Sequence, residues 1–529
     1  MKIMVGREWK DGFPDYHCGP GEYRLEVLAC RNLEKIEGLH FVRRKDPRLL
    51  WNYLREIGPT AVLRKVASRN HEKYRNEKYV SCGLGRVIES ADESKFPLGQ
   101  TVVFLAPCQP ACAERVVLQE EMLLKVDPLA EPEAPSDHVL HLPVDADEAA
   151  PDRWWAPLTG WSGYSGRHFE RERCAETLGR ALSAVRQTPW EGARSLPVDR
   201  GPVAETKGRS GPAPTRRPPH TVLFGYGNYA KTIILPNVRP CLSVDCIHEI
   251  DPTQLPLKED ADKAWDTSPV PRDDENYDVW LVAGFHHTHG PLAVRAIEQG
   301  AWAVVEKPVV VDESQLEQLL AAMRTSQGRL FSCFHKRYLP FNRLALRDLG
   351  VNPGDPVSYH CIVFEVPLPE LHWYRWPNSG SRLVSNGWHW LDHFLFLNGY
   401  ADVEFFDIAA ARDGTLNCTV GLKNGAFFTM ALTDHGSARI GVQDHVELRA
   451  GDATVRIVNE SAYTAERGNA VVRSLRVNKI DTYRTMYEDV CRRIAEGGEG
   501  DSAHSFAVST RLVLGLQERL VGKLSAGIR

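Results

Sequence analysis

From residue 220 onward, short solid apolar runs alternate with longer segments whose apolar positions recur every three to four residues. HTVLF (220–224) leads through a glycine turn into a helical pattern ending near 238, and LSVDCIHEID (242–251) is a second apolar run. YDVWLVAGF (277–285), AWAVVEKP (301–308) and RLFSCFH (329–335) are three more, separated by the helical patterns GPLAVRAIEQG (290–300) and ESQLEQLLAAMRTSQG (313–328). Five strands alternating with helices predict an α/β unit with a parallel sheet and right-handed crossovers. From about 340 the alternation stops. VSYHCIVFEV, ADVEFFDIAAA, LNCTVGLKNGAFFTMALTD, HVELRAGDATVRIVNE and VVRSLRV read as strands joined by short turns, followed by two helical stretches. This predicts an α+β domain built on a large, open, mostly antiparallel sheet.

The first 145 residues read as mainly β. GEYRLEVLAC (21–30), YVSCGLGRVIES (79–90) and GQTVVFLAP (99–107) are strand-like, and DPRLLWNYLREIGPTAVLRKVAS (46–68) has helical spacing. A further helical stretch, TLGRALSAVRQ (177–187), precedes a segment rich in Pro, Gly, Arg and Ser that reads as an exposed linker. Its Arg216–Arg217 pair is a solvated charge cluster or a weak anion contact. The expected domains are therefore 1–187, a linker at 188–219, an α/β unit at 220–340 and a C-terminal unit at 341–529.

Composition narrows the function classes. With 43% hydrophobic and 25% charged residues, the 529-residue chain is ordinary globular protein. A net charge of −5 removes the broad electrostatic case for nucleic acid or an anionic membrane. The N-terminus lacks an apolar signal region, and no run of 18 apolar residues suggests a membrane span. Twelve scattered cysteines suit a reducing cytoplasm better than a disulfide scaffold. The one close pair, Cys108 and Cys112, lacks a second pair to complete a metal site, so no metal is expected.

The segment LFGYGNYAK (223–231) supplies G-x-G-x-x-A as Gly225, Gly227 and Ala230, with Asn228 and Tyr229 between. The first glycine permits the strand-to-helix turn and the second lets backbone approach a pyrophosphate. The small third residue packs helix on strand. Glu249, or failing it Asp251, stands where a carboxylate would accept from an adenosine ribose diol, favouring NAD over NADP without excluding the latter. Glu306 and Lys307 end a predicted strand at the edge where such sheets bind ligands. A lysine there is either a surface cation or an active-site one. In NGWHWLDH, His389 and Asp392 are spaced to share a helix face, with His393 beside them. Trp373, Tyr374, Trp376 and Trp388 are candidates to stack on a ring, or simply core residues.

Together these residues resemble the Gfo/Idh/MocA oxidoreductase family. LFGYGNYAK, AGFHHTHGPLA, EKP, FHKRYLP and NGWHWLD occur in that family's order, and the resemblance covers about 220–529. It implies an N-terminal Rossmann domain and a C-terminal sheet domain that binds substrate and forms homo-oligomers. The implied activity is hydride transfer between nicotinamide and a polar small molecule: a sugar, sugar nucleotide, cyclitol or imine. It further implies that Lys307 and His389 assist proton transfer, and that His286 and His289 lie near the nicotinamide. Arg337, Tyr338, Trp376, Ser385, Asp392 and His393 are the implied substrate side. One departure stands out: Ser385 replaces the aspartate of the family's D-x-G-x-H motif. The alternatives are transient oxidation serving elimination or epimerisation, and a catalytically degraded NAD-binding scaffold. The N-terminal region resembles the GroES-like domain of medium-chain alcohol dehydrogenases without its zinc motif or a complete Rossmann domain, so it is expected to bind neither zinc nor NAD.

Overall fold

The computed structural model describes residues 219–254, 264–368, 374, 379–437, 441–477 and 481–526, with parts of the first 218, chiefly 21–35, 79–106 and 113–125. The unit from residue 219 to 340 is built on six parallel strands: His220–Phe224 (β1), Ser243–His248 (β2), Ala264–Asp266 (β3), Val279–Val282 (β4), Trp302–Val305 (β5) and Arg329–Ser332 (β6). Their spatial order is β3-β2-β1-β4-β5-β6, so the chain reverses direction across the sheet between β1 and β4. Every residue of β4 and β5 is buried, as solid apolar runs in a sheet covered on both faces require. Sequence periodicity missed β3, because three residues at a sheet edge carry too little pattern to register.

A π-helical turn, Ala230–Ile234, runs into the helix Leu235–Val238 (α1). Helices His286–Glu298 (α2) and Glu313–Thr325 (α3) cover the other strands. Asp312 starts α3 by accepting from the Gln315 amide. Helix Phe341–Leu349 (α4) ends at Gly350, which adopts φ +75° in the left-handed region, and the chain passes into the second sheet.

That sheet has eight strands: Ser358–Phe364 (β7), Val403–Ala410 (β8), Leu416–Leu422 (β9), Phe427–Thr433 (β10), Gln443–Ala450 (β11), Ala453–Val458 (β12), Ala462–Arg467 (β13) and Ala470–Arg476 (β14). Their order is β8-β9-β10-β7-β11-β12-β13-β14, with only β7 and β10 parallel. Burial alternates along β10 and β12, so one face is core. Helices Trp388–Leu397 (α5) and Ala503–Ser525 (α7) cover that face together with α4. Trp388 Nε1 donates to Ser509 Oγ at 2.8 Å, locking α5 to α7. Ile362, Phe405, Val471 and Val472 are exposed.

The helix Asp481–Glu496 (α6) returns to the first unit, where Met486, Tyr487 and Val490 bury against Ile234, Leu235 and Val238. Cys241 and Cys491 form a disulfide with Cα atoms 6.0 Å apart. The scattered cysteines gave no sign of this pair: 250 residues separate the two, and packing of α6 on α1 brings them together.

In the N-terminal region, strands Glu22–Lys35, Tyr79–Ser90, Thr101–Ala106, Arg115–Gln119 and Leu123–Lys125 belong to one sheet. That sheet also takes in His138–Leu142 and Arg194–Pro197, so the stretch read as linker contributes one short strand. Cys108, Cys112, Trp373, Trp376, the Arg216–Arg217 pair and most of the helical stretches read at 46–68 and 177–187 lie outside the described residues.

Candidate active site

The carboxyl ends of β1, β2 and β5 face one crevice. After β1, Gly225 takes φ +90°, and a Cβ there would lie 2.5 Å from the Ala283 carbonyl oxygen, so only glycine fits. A Cβ on Gly227 would meet nothing within 4 Å, which leaves its backbone open to a ligand. Asn228 is exposed and its carbonyl accepts from Thr232 Oγ1 at 2.7 Å; Ala230 is buried against the sheet.

Glu249 follows β2. One carboxylate oxygen accepts from the Tyr226 amide at 2.6 Å and the other from the Asp251 amide at 2.9 Å. It therefore braces the glycine turn. Asp251 is spent on Thr253, whose amide and hydroxyl both donate to Oδ1.

Sequence reasoning did not foresee the segment around Tyr16 at this end of the crevice. The Thr267 hydroxyl donates to the Asp15 carbonyl, and the His17 amide donates to Thr267 Oγ1 at 2.8 Å. The His17 ring bonds Asp266, which Arg272 Nε also engages at 2.7 Å. Tyr16 between them is buried, and its hydroxyl has no hydrogen-bond partner among the described residues. Burial, then the charges of Asp251, Asp15 and Glu249, push its phenol well up.

At the end of β5, the half-buried Lys307 donates from Nζ to the Ser385 carbonyl at 2.7 Å and to Asn386 Oδ1 at 3.1 Å, leaving its third proton for a ligand. Burial lowers its pKa, while Glu306 and Glu365 oppose the shift. Ser385 and Asn386 sit in a π-helical turn, Leu383–Gly387, that leads into α5. Ser385 carries no carboxylate, but one is present nearby. Glu365, buried just beyond β7, accepts from the Asn386 amide and, at 2.7 Å, from Arg382 Nε. Sequence reading missed Glu365, because one acid after a strand is indistinguishable from a surface charge. Its partners lie 17 and 21 residues further on.

His389 opens α5 from the other unit. It is buried, and its Nδ1 has no hydrogen-bond partner among the described residues. Burial, then the neighbouring His335 and Lys307, hold its pKa well below the ordinary range, so it is neutral at pH 7. The His335 ring lies 4.6 Å away and stacks on Tyr483.

The remaining residues divide by placement. His286 Nδ1 donates to the Ser379 carbonyl at 2.9 Å, with the Tyr374 ring 4.6 Å away. His289 Nδ1 reaches the carbonyls of Glu306 and Pro308, fixing the turn that carries Lys307. Glu306 accepts from Tyr487 Oη at 2.7 Å and also hydrogen-bonds Tyr229. Arg337 and Asp392 are turned away from the crevice: Nε and one terminal nitrogen grip both carboxylate oxygens at 2.8 and 2.7 Å, with Asp392 fully buried. Tyr338 donates to Asp489. His393 is buried, accepting from Tyr359 and donating to Asn342 Oδ1 at 2.9 Å.

His393 gives a pH prediction. Burial lowers its pKa to about 3 from 6.5. Between those values the unfolded chain binds the extra proton, so stability rises with pH there and is lost as pH falls below 6.5. Thermal midpoints of His393→Gln measured from pH 7 to pH 4 should fall less steeply than those of the wild type. The difference in slope should correspond to about one proton, about 1.4 kcal/mol per pH unit. Parallel curves would show that His393 does not contribute.

No family model matches the chain. The uncharacterized oxidoreductase YdgJ of Escherichia coli is 32% identical over 206 residues, which cover 36% of this chain and 57% of that protein. The oxidoreductase YteT of Bacillus subtilis is 24% identical over 235 residues, covering 39% of this chain and 51% of that protein. The chain thus spans little more than half the length of the curated relatives it matches. Among solved structures, the WlbA dehydrogenase from Bordetella pertussis, in complex with NADH and UDP-GlcNAcA, aligns with 17% identity and a TM-score of 0.47, over 57% of this chain and 97% of that one. The WlbA enzyme from Chromobacterium violaceum aligns at 15% identity and a TM-score of 0.47, over 59% and 96%.

Proposed function

We propose that this protein is an NAD(P)-dependent oxidoreductase acting on a polar small molecule of the sugar, sugar-nucleotide, cyclitol or cyclic-imine class. The observation that carries the reading is a convergence. The open Gly225–Gly227 turn and Lys307 occupy one edge of the parallel sheet, and Ser385, Asn386 and His389 from the second unit meet Lys307 there. The oxidoreductase names of the curated relatives support it.

The fit to a dinucleotide is specific. Gly227 leaves room above its backbone, Gly225 tolerates no side chain, and Glu249 holds a carboxylate against the glycine turn, at the end of the second strand where a ribose would lie. Bound there, the nicotinamide would accept or supply hydride. The chain's own task is the accompanying proton. Lys307 Nζ has one free donor position and a pKa lowered by burial, so it can give a proton to a substrate oxygen or nitrogen or take one from it. Asn386 and the Ser385 carbonyl aim it, and Glu306, then Glu365, oppose the loss of its charge. His389, neutral, can accept or pass that proton. The exposed Ile362, Phe405, Val471 and Val472 support pairing of two copies through the C-terminal sheet.

Fluorescence titration with NADH and NADPH tests the cofactor. NADH should bind more tightly, Gly225→Val should abolish binding, and Glu249→Gln should relax the preference. Glutamine deletes the charge that repels a 2′-phosphate while keeping an acceptor for the Tyr226 amide. Tighter NADPH binding by the wild type would overturn the assignment of NAD.

A further inference from the structure

Beside Glu249, a second group of side chains meets where the chain crosses the sheet between β3 and β4. Residues 267–278 form neither helix nor strand. Cys246 and His248, two apart on β2, project to one face, and Glu275 comes over from the crossover. A thiol sulfur, an imidazole nitrogen and a carboxylate oxygen lie within 4.8 Å of one another. Cys246 and His248 are buried, and Glu275 is partly exposed, leaving a solvent side.

The histidine is oriented as a ligand. Its Nδ1 donates to the Ser268 carbonyl at 2.9 Å, which leaves the Nε2 lone pair directed at Glu275 Oε2, 3.2 Å away. Two acceptors at that distance repel unless a cation lies between them. Metal-bound imidazoles characteristically tie their other nitrogen to a carbonyl in this way. Charge balance points the same way, since a thiolate and a carboxylate neutralise one divalent ion and leave no net charge to bury. Thiolate, imidazole and carboxylate form a borderline-soft set that suits zinc. Tyr277 Oη, within hydrogen-bonding reach of Cys246 and Glu275, or a water completes four-coordination.

We propose that Cys246, His248 and Glu275 bind one zinc-class divalent cation that staples the β3–β4 crossover to the sheet. The crossover carries Thr267 and Arg272, the residues that hold Asp15 and His17, so the ion steadies the platform on which the N-terminal segment rests. The same contacts without a metal would require a proton on Nε2, making a plain histidine–glutamate ion pair.

Metal analysis of the full chain, purified without chelator from zinc-supplemented culture, decides between the two. One zinc per chain is expected, retained in Cys108→Ser/Cys112→Ser and lost in Cys246→Ala. Glu275→Gln, a mild change on a partly exposed loop, guards against misfolding of the cysteine variant. Cobalt added to the chelator-stripped wild type should give thiolate-to-cobalt absorption, absent in Cys246→Ala. In Glu275→Gln, cobalt affinity should fall by more than the roughly 10–100-fold typical of losing an outer-sphere partner. A folded wild type that neither carries zinc nor takes up cobalt would overturn the proposal. So would metal that stays with Cys246→Ala and leaves with Cys108 and Cys112.

Discussion

Lys307→Met is expected to lower kcat by about 100-fold or more, the lower end of what general acid–base catalysis contributes. The Kd for NADH should stay within experimental error, because the turn at Gly225 and the brace at Glu249 lie on other strands. His389→Ala should also reduce kcat. The double variant should lose less than the product of the two, since groups in one proton path are not additive. Single-turnover transfer monitored at the nicotinamide band, with a substrate found by screening keto sugars, sugar nucleotides and cyclic imines, supplies the measurement. Rates near wild type in both single variants would move the chemistry elsewhere, with His286 the next group to examine.

Glu365 distinguishes this reading from a generic active-site lysine. Its carboxylate opposes the burial that lowers the Lys307 pKa and reaches the lysine's partner Asn386. Glu365→Gln keeps an acceptor and removes the charge, so Lys307 should lose its proton at lower pH. The limb of the kcat/KM profile that reports Lys307 should move to lower pH, whether the lysine acts as acid or as base. An unchanged profile would reduce Glu365 to a packing residue.

The parts of this site that could be read from sequence are those whose chemistry is local. The strand, the Gly225–Gly227 turn and the helical start occupy consecutive residues, and a glycine required by a close approach leaves its mark in one position. The solid runs of β4 and β5 announce burial on both faces for the same reason. What could not be read is set by partners distant in sequence. Glu365 has meaning only beside Arg382 and Asn386. Arg337 and Asp392 both looked like polar groups facing the crevice, yet their bidentate pairing across 55 residues uses them up inside the protein. His389 and Asp392 share a helix, but Ser509 of α7 and Arg337 draw the aspartate the other way. The segment at Tyr16 reaches the parallel-sheet unit across some 250 residues of chain, a distance no local pattern spans.

Lys336→Met should be the most damaging single substitution for stability. Lys336 is 1% exposed, and its ammonium donates to Asp444 Oδ2 at 2.7 Å and to Glu460 Oε1 at 2.5 Å. Trp390 adds its ring face 4.5 Å from Nζ and donates through Nε1 to the same Asp444 oxygen at 2.9 Å. The lysine follows β6 of the first sheet, whereas its partners flank β11 and β13 of the second, so the cluster is a joint between the two units. Deleting the cation leaves two buried carboxylates facing each other, a loss of about 3–5 kcal/mol for a broken buried pair. At roughly 2–4 °C per kcal/mol for units of this size, the thermal midpoint should drop by about 6–20 °C. The pH dependence gives the cause a signature. Without Lys336 the cost is an uncompensated buried negative charge, so the variant's deficit is largest at pH 7 and shrinks as pH falls and that charge is neutralised. Adding Asp444→Asn and Glu460→Gln to Lys336→Met should recover part of the midpoint and flatten that dependence. A deficit that is constant from pH 7 to pH 5 would assign the damage to the lost Lys336–Trp390 packing instead.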